Sequence, residues 1–551
     1  MVPLIRLALV AISLPSVLSL SPIHHRHQLH TSSDLDLDLS SDRPSYNFSV
    51  PVDHFHNDSR YEPHSDDTFP LRYWLDDRHY APGGPVIMLA AGEVTGAARL
   101  PFLEHGIVSI LAEALGGLGV VLEHRYYGTS YPVSDLSTEN LRFLSTDQAL
   151  ADTAYFAQNI RYPGLKDHNL TAADAPYILY GGSYAGAFVS LARKLYPDVF
   201  WGAISSSGVT AAVDDFWEYH EAARLYSPGN CAANHQRIVG IVDNILIKRE
   251  QKEGEKLKAA FGLEDLDDQD FVEELRRGIS GLQSVMWDPA ENNDDFARYC
   301  GILTADAAVY PNTRHLRDLA EEFVRLGFYV PDEATTTQLL NFMGYIQSGV
   351  SRDLRTSCRG KSVRECYGQS GLDVAGDISI PQSMIRPWVY QTCTQWGYFI
   401  TGAGTPADQP AMISRLIDYD YATLPCRTLF NITTRPDIDS INALGGFNFS
   451  YPRVALVDGE ADPWRQATPH ALGLGSESRR STVEEPFLLI GGGATHHWDE
   501  YGLGEGAYGP GLPPKDVKDV QEREVGFARA WVEEWEEERG RRDEAGMPGE
   551  L

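Results

Sequence analysis

The sequence predicts an α/β protein whose mostly parallel sheet is interrupted by a large, mainly helical insertion. Three observations predict it. Short apolar runs alternate with helix-length segments from about residue 85 to 206, the pattern of parallel strands joined by crossover helices. The alternation stops from about 214 to 425, where charged helical stretches such as Lys248 to Lys258 dominate. It resumes at Arg453–Val457 and Pro486–Ile490.

The N-terminus comes first. Arg6 precedes an apolar run from Leu7 to Leu20 that Pro15 breaks, too short to span a membrane. Val17 and Ser19 are small enough for a signal-peptidase site, so residues 1–19 are expected to be a signal peptide. Residues 20–45 are rich in His, Ser and Asp and read as a disordered leader or propeptide.

Folded sequence is expected from Tyr46. Pro85–Ala91, Gly119–Leu122, Tyr177–Tyr180 and Gly202–Ser205 are continuous apolar runs, each ending in Gly or a polar cluster. Such runs mark strands buried on both faces. Asp147–Gln158 and Ala185–Tyr196 are helix-length segments between them. The first part of the core is therefore placed at 46–213, the helical cap at 214–425 and the second part of the core at 426–540. A last helix follows Pro513-Pro514, with Val517, Val520, Phe527, Trp531 and Trp535 on one face. The charged stretch after Trp535 is expected to fray, leaving 541–551 as a disordered tail.

Composition narrows the function. A chain of 551 residues with 43% hydrophobic content can bury a sizeable core. Its net charge of -31 argues against nucleic acid and anionic membranes, which are bound through Lys and Arg. The mature chain has no other apolar run of about 18 residues, so no membrane span is expected. Six cysteines lie between Cys231 and Cys426, with no CxxC or Cys/His cluster. They read as disulfides of an oxidising compartment, with 15 pairings open. Five sequons, at Asn47, Asn57, Asn169, Asn431 and Asn448, read as glycosylation acceptors after a signal peptide. Together these features place the protein outside the cell, with a vacuolar or lysosomal lumen as the alternative.

The chemistry starts at Tyr180-Gly-Gly-Ser183-Tyr-Ala-Gly186. A strand, a tight turn and a helix form the setting of a nucleophile elbow, in which an α/β hydrolase exposes its serine; the bland reading is a glycine-rich turn. A serine nucleophile needs a histidine base and an orienting acid, later in the chain and in loops after strands. The strand ending at Val457 leads to Asp458, Glu460 and Asp462, and the strand ending at Ile490 leads to His496 and His497. Spacing leaves the choice within each loop open. His124 and His470 read as structural.

The sequence resembles the serine peptidases that include prolyl carboxypeptidase, dipeptidyl peptidase II and the fungal proline-specific endopeptidases. The resemblance rests on Ala91-Gly-Glu-Val94, Glu123-His-Arg-Tyr-Tyr-Gly128, Thr146-Asp-Gln-Ala-Leu150, Gly181-Gly-Ser-Tyr-Ala-Gly186, Tyr390-Gln-Thr-Cys-Thr394, Glu460-Ala-Asp-Pro-Trp464 and His496-His497. It implies Asp462 as the acid, His496 as the base, Trp464 as a wall of a proline pocket, and the insertion as a cap. It also implies pairing of Cys231 with Cys300, Cys358 with Cys366, and Cys393 with Cys426. Ala185 stands where relatives carry Gly, and Gln395-Trp396 and Trp498-Asp499 also depart from the family pattern.

The expected reaction is acyl transfer from peptides, proline-containing by resemblance. Ser183, His496 and Asp462 would carry it, with Tyr184, Gly92 and Glu93 around the oxyanion. It needs no metal or organic cofactor. An exopeptidase, either carboxypeptidase or dipeptidyl peptidase, is the leading reading. A proline-specific endopeptidase, an esterase or lipase on the same fold, and a non-catalytic binding protein are the rivals. The sequence leaves a homodimer open.

Overall fold

The computed structural model describes residues 43–289, 291–368, 377–380, 385–503 and 510–544. The expected signal peptide and most of the expected leader lie outside them, as do residues 545–551.

Eight strands form one sheet: β1 (Tyr46–Pro51), β2 (Thr68–Asp76), β3 (Val86–Ala90), β4 (Leu118–Leu122), β5 (Tyr177–Gly182), β6 (Gly202–Ser206), β9 (Val454–Gly459) and β10 (Phe487–Ile490). Their order is β1-β2-β4-β3-β5-β6-β9-β10. The β1–β2 and β2–β4 pairs are antiparallel, and every pair from β4 to β10 is parallel. All six runs read from the sequence as strands are strands. The chain is an α/β hydrolase with a mainly helical cap.

Successive side chains of a strand point to opposite faces, and here each face has its own core. Ile87, Leu89, Ile178, Tyr180, Ala455 and Val457 face a layer built from α1 (Ile107–Leu115) and the last helix. Val86, Met88, Leu179 and Leu456 face α2 (Thr146–Asn159), α3 (Tyr184–Leu195) and the cap. The sequence therefore reads as unbroken apolar runs because no central strand has a wet face. Edge strand β10 does: Leu489 is 41% exposed.

The insertion contributes α4 (Cys231–Lys248) and α5 (Glu333–Asp353), with shorter helices packed on them. Bonds Cys231–Cys300, Cys358–Cys366 and Cys393–Cys426 are formed, the pairing the resemblance implied. A two-stranded parallel ladder joins β7 (Val213–Asp215) to β8 (Gly397–Phe399), so the insertion leaves and returns side by side.

The last helix, α6 (Lys515–Glu544), buries Val517, Val520, Phe527 and Trp531 against the sheet. Each such burial contributes about 1.5–3 kcal/mol. The sequence reading expected fraying after Trp535 and a boundary at 540, but the helix runs on to Glu544. Glu and Arg are good helix formers, and Arg539 over the Trp535 ring adds a contact at 5.2 Å. The expected cap boundary at 425 falls inside a short helix, Leu424–Phe430.

Candidate active site

Strand β5 ends at Gly182 and α3 begins at Tyr184, so Ser183 turns the chain in a single residue. It does so at φ 57° and ψ -126°, a conformation that costs a non-glycine residue about 1–3 kcal/mol. The surroundings hold it there. Ser183 N donates to Ser206 O of β6 at 2.9 Å, and Gly186 N donates back to Ser183 O at 3.0 Å. A Cβ at Gly181 would lie 2.2 Å from Ala185 O, which is why no side chain can stand two places before the serine. Ala185 fits in place of glycine because its methyl meets Gly92, which has none; a Cβ there would lie 3.1 Å from it.

Strand-end loops supply the other candidates. Asp462 follows β9 and uses Oδ1 to accept from Trp464 N at 2.8 Å. Its Oδ2 lies 2.8 Å from His496 Nδ1, and both side chains are buried. The rival acids are engaged elsewhere. Asp458 lies 2.5 Å from Nδ1 of His470, which stacks on Phe487, and Glu460 accepts from Gly493 N at 2.6 Å. The structure therefore pairs Asp462, and neither of its neighbours, with His496. His496 Nε2 is buried and has no hydrogen-bond partner among the described residues, so it makes no bond to Ser183 Oγ.

The histidine loop nevertheless packs against the elbow. A Cβ on Gly182 would lie 3.0 Å from His497 Nδ1 and 2.4 Å from Glu500 Oε1. The rings of His496 and His497 are 3.7 Å apart. His497 N donates to Ser207 Oγ at 3.2 Å, and His497 Nδ1 lies 3.3 Å from Ser206 Oγ. Burial holds the His497 ring well below the usual histidine range. His124, read as structural, lies 3.1 Å from Tyr184 OH, and burial drops it to about 4.

Tyr184 is the first residue of α3, and the first N–H groups of a helix have no intrahelical acceptor. Gly92 and Glu93 follow β3 on the same side. Glu93 is buried with Oε2 unpartnered among the described residues, and burial raises its carboxyl.

Trp464 is only 1% exposed. Its Nε1 donates to Gln283 at 2.9 Å, and Phe216, Tyr219 and Tyr398 surround its ring at 5.2–5.3 Å. Trp396 continues the aromatic wall to Tyr184. The departure Gln395 accepts from Thr146 N at 3.0 Å and so caps α2. Sequence reasoning assigned no role to Phe216, Tyr219, Tyr398 or Gln283, because the cap brings them in without a local motif.

A group of carboxyls behind the histidine loop was missed as well. Asp499 accepts from Ser206 Oγ and Tyr180 OH, each at 2.6 Å. Glu500 and Glu524 are buried beside it. Burial raises all three carboxyls, Glu500 to about 8. No spacing in the sequence forewarned of this group.

All five sequon asparagines are exposed, as acceptors must be. No described helix is long and apolar enough to cross a membrane.

Comparison with known proteins agrees with this chemistry. The family described as Serine carboxypeptidase S28 matches residues 51–506. A relative named "Probable extracellular serine carboxypeptidase", from Arthroderma benhamiae, is 42% identical over 96% of this chain and 74% of its own. "Serine protease vicPb" of Bipolaris victoriae is 28% identical over 79% of this chain and 81% of its own. The "Thymus-specific serine protease" of Mus musculus is 26% identical over 78% and 79%. The resemblance read from the sequence is borne out: this chain belongs to the serine carboxypeptidase S28 family and is a serine-type peptidase.

Proposed function

We propose that the chain is a secreted exopeptidase selective for proline-containing peptides, a carboxypeptidase or dipeptidyl peptidase, working through Ser183, His496 and Asp462. The observation that carries this reading is the Asp462–His496 hydrogen bond, with His496 Nε2 buried and without a partner among the described residues, in a loop packed against the Ser183 elbow.

His496 Nε2 takes the Ser183 proton as Oγ attacks the substrate carbonyl. Asp462 fixes the tautomer and stabilises the imidazolium. Bonds of this kind are often open in the free enzyme and tighten on substrate. The Tyr184 N–H, with donors near Gly92 and Glu93, meets the oxyanion at the positive end of α3. His496 then protonates the leaving amine, and water releases the acyl group from Ser183. Trp464 and its aromatic neighbours suit a rigid, apolar proline ring. Export rests on residues 1–19 as a signal peptide, with 20–45 as a leader, and agrees with three disulfides and five exposed sequons. The segment 214–425 acts as the cap over the site.

A fluorophosphonate probe should label the protein, and Ser183→Ala should abolish labelling; labelling that survives rejects the nucleophile. Mass spectrometry of products from a peptide with an internal proline separates single C-terminal residues, N-terminal dipeptides and internal fragments. Internal fragments alone overturn the exopeptidase reading. A kcat/KM higher for p-nitrophenyl esters than for proline peptides would favour an esterase.

A further inference from the structure

The loop between β1 and β2 holds a second cluster of chemistry-bearing side chains that the peptidase reaction does not use. Asp53, His56 and His64 each offer one atom that lies within 4.8 Å of those of the other two. The Asp53 side chain is fully buried. Its Oδ1 is fixed by Phe55 N at 2.9 Å and by Gln148 Nε2 at 2.7 Å. Gln148 belongs to α2 and is held in turn by His54 N at 2.9 Å. That leaves Oδ2 for the loop, where His64 Nδ1 is 2.7 Å away. The His56 ring stacks on that of His64, with centroids 5.3 Å apart and planes at 24°. Asp66 stands 3.9 Å from His56 Nδ1 on the solvent side.

An Asp53–His64 hydrogen bond would account for two of these groups and would need no second imidazole beside it. The set has a different logic. A buried carboxylate has one oxygen held by neutral donors, as outer-shell partners hold a metal ligand. Its other oxygen faces imidazoles, the donors preferred by borderline divalent ions. We propose that Asp53, His56 and His64 form a binding site for a zinc-type divalent ion, with a fourth position left to water.

A tetrahedral ion with bonds of about 2.0–2.2 Å sets its donors roughly 3.4 Å apart, so Asp53 Oδ2 and His64 Nδ1, now 2.7 Å apart, must part slightly. The exposed His56 ring can swing in by rotating about its side-chain bonds. On binding, a neutral His64 would carry its proton on Nε2 in place of Nδ1, and because protonated imidazole cannot ligate, affinity falls as pH is lowered. The ion would tie the β1–β2 loop to α2 through Asp53 and Gln148, far in sequence from the candidate catalytic residues.

The test reads individual histidines, because His24, His25, His27 and His30 of the leader can bind the same ion. The full chain, stripped with a chelator, is treated with diethylpyrocarbonate with and without micromolar ZnCl₂, and modified peptides are quantified by mass spectrometry. Zinc should protect His56 and His64 and leave the exposed His315 unprotected. His56→Ala removes a half-exposed side chain; it should leave the melting temperature in chelator unchanged and raise the zinc concentration that half-protects His64 by roughly tenfold or more. Equal modification of His56 and His64 with and without zinc would overturn the site. So would unaltered protection of His64 in both His56→Ala and Asp53→Asn.

Discussion

Glu500 offers a direct measure of what the buried carboxyls behind the histidine loop cost. Burial raises its carboxyl from the usual 4.5 to about 8. A carboxyl so raised binds its proton more tightly in the folded than in the unfolded chain. Its stabilising contribution is complete below about pH 4.5 and is withdrawn as pH climbs to about 8. Each pH unit in that window costs about 1.4 kcal/mol, so Glu500 alone removes about 5 kcal/mol across it. Asp499 and Glu524 are raised in the same direction and act with the same sign. Glu500→Gln keeps the shape and removes the titration. Guanidinium unfolding followed by tryptophan fluorescence at pH 4.5, 6 and 8 would give the unfolding free energies. The wild-type protein should lose more stability over this range than Glu500→Gln, by an amount approaching 5 kcal/mol. Equal losses in the two proteins would refute the reasoning, because the Glu500 proton would then be unlinked to folding.

Further outcomes follow from the geometry. Asp462→Asn should keep the fold but present the wrong His496 tautomer, so kcat on a proline peptide should fall about 10⁴-fold with KM little changed; steady-state kinetics checks it. Gly181→Ala drives a Cβ to 2.2 Å from Ala185 O, so the elbow must open; the variant should lose fluorophosphonate labelling and melt at lower temperature. Replacing Cys231 and Cys300 together by Ser frees a loop with a sequence separation of 69, worth about 4 kcal/mol by loop-closure entropy; the midpoint of denaturant unfolding measures the loss.

The central sheet was legible because burial on both faces turns a strand into a short unbroken apolar run. β1 and β2 carry no such run. β1 alternates, with Asn47 and Ser49 exposed between more buried neighbours, and in β2 the buried Arg72 interrupts the apolar residues Leu71 and Tyr73-Trp74. The loops that hold the candidate acid and base could be read from strand ends, but the choice among Asp458, Glu460 and Asp462 could not. It depends on which imidazole each meets, and Asp458 turns out to serve His470. Tyr398, Gln283 and Phe216 reach Trp464 from distant segments, and no spacing rule within one loop could announce them. The charge after Trp535 does not mark where α6 ends, because Glu and Arg also favour helix.

The β7–β8 ladder bears on how such a molecule could change over time. Where a polypeptide departs from a scaffold and rejoins it at adjacent points, the excursion can lengthen, shrink or be exchanged while the two anchoring ends stay where they were. Here the detour contributes rings that wall the neighbourhood of Trp464, whereas Ser183, Asp462 and His496 sit on the scaffold itself. Diet and reactivity could thus drift separately: a graft of another relative's excursion, spliced at Val213 and Phe399, would be free to alter which peptides are accepted while the three proposed catalytic residues stay where they are.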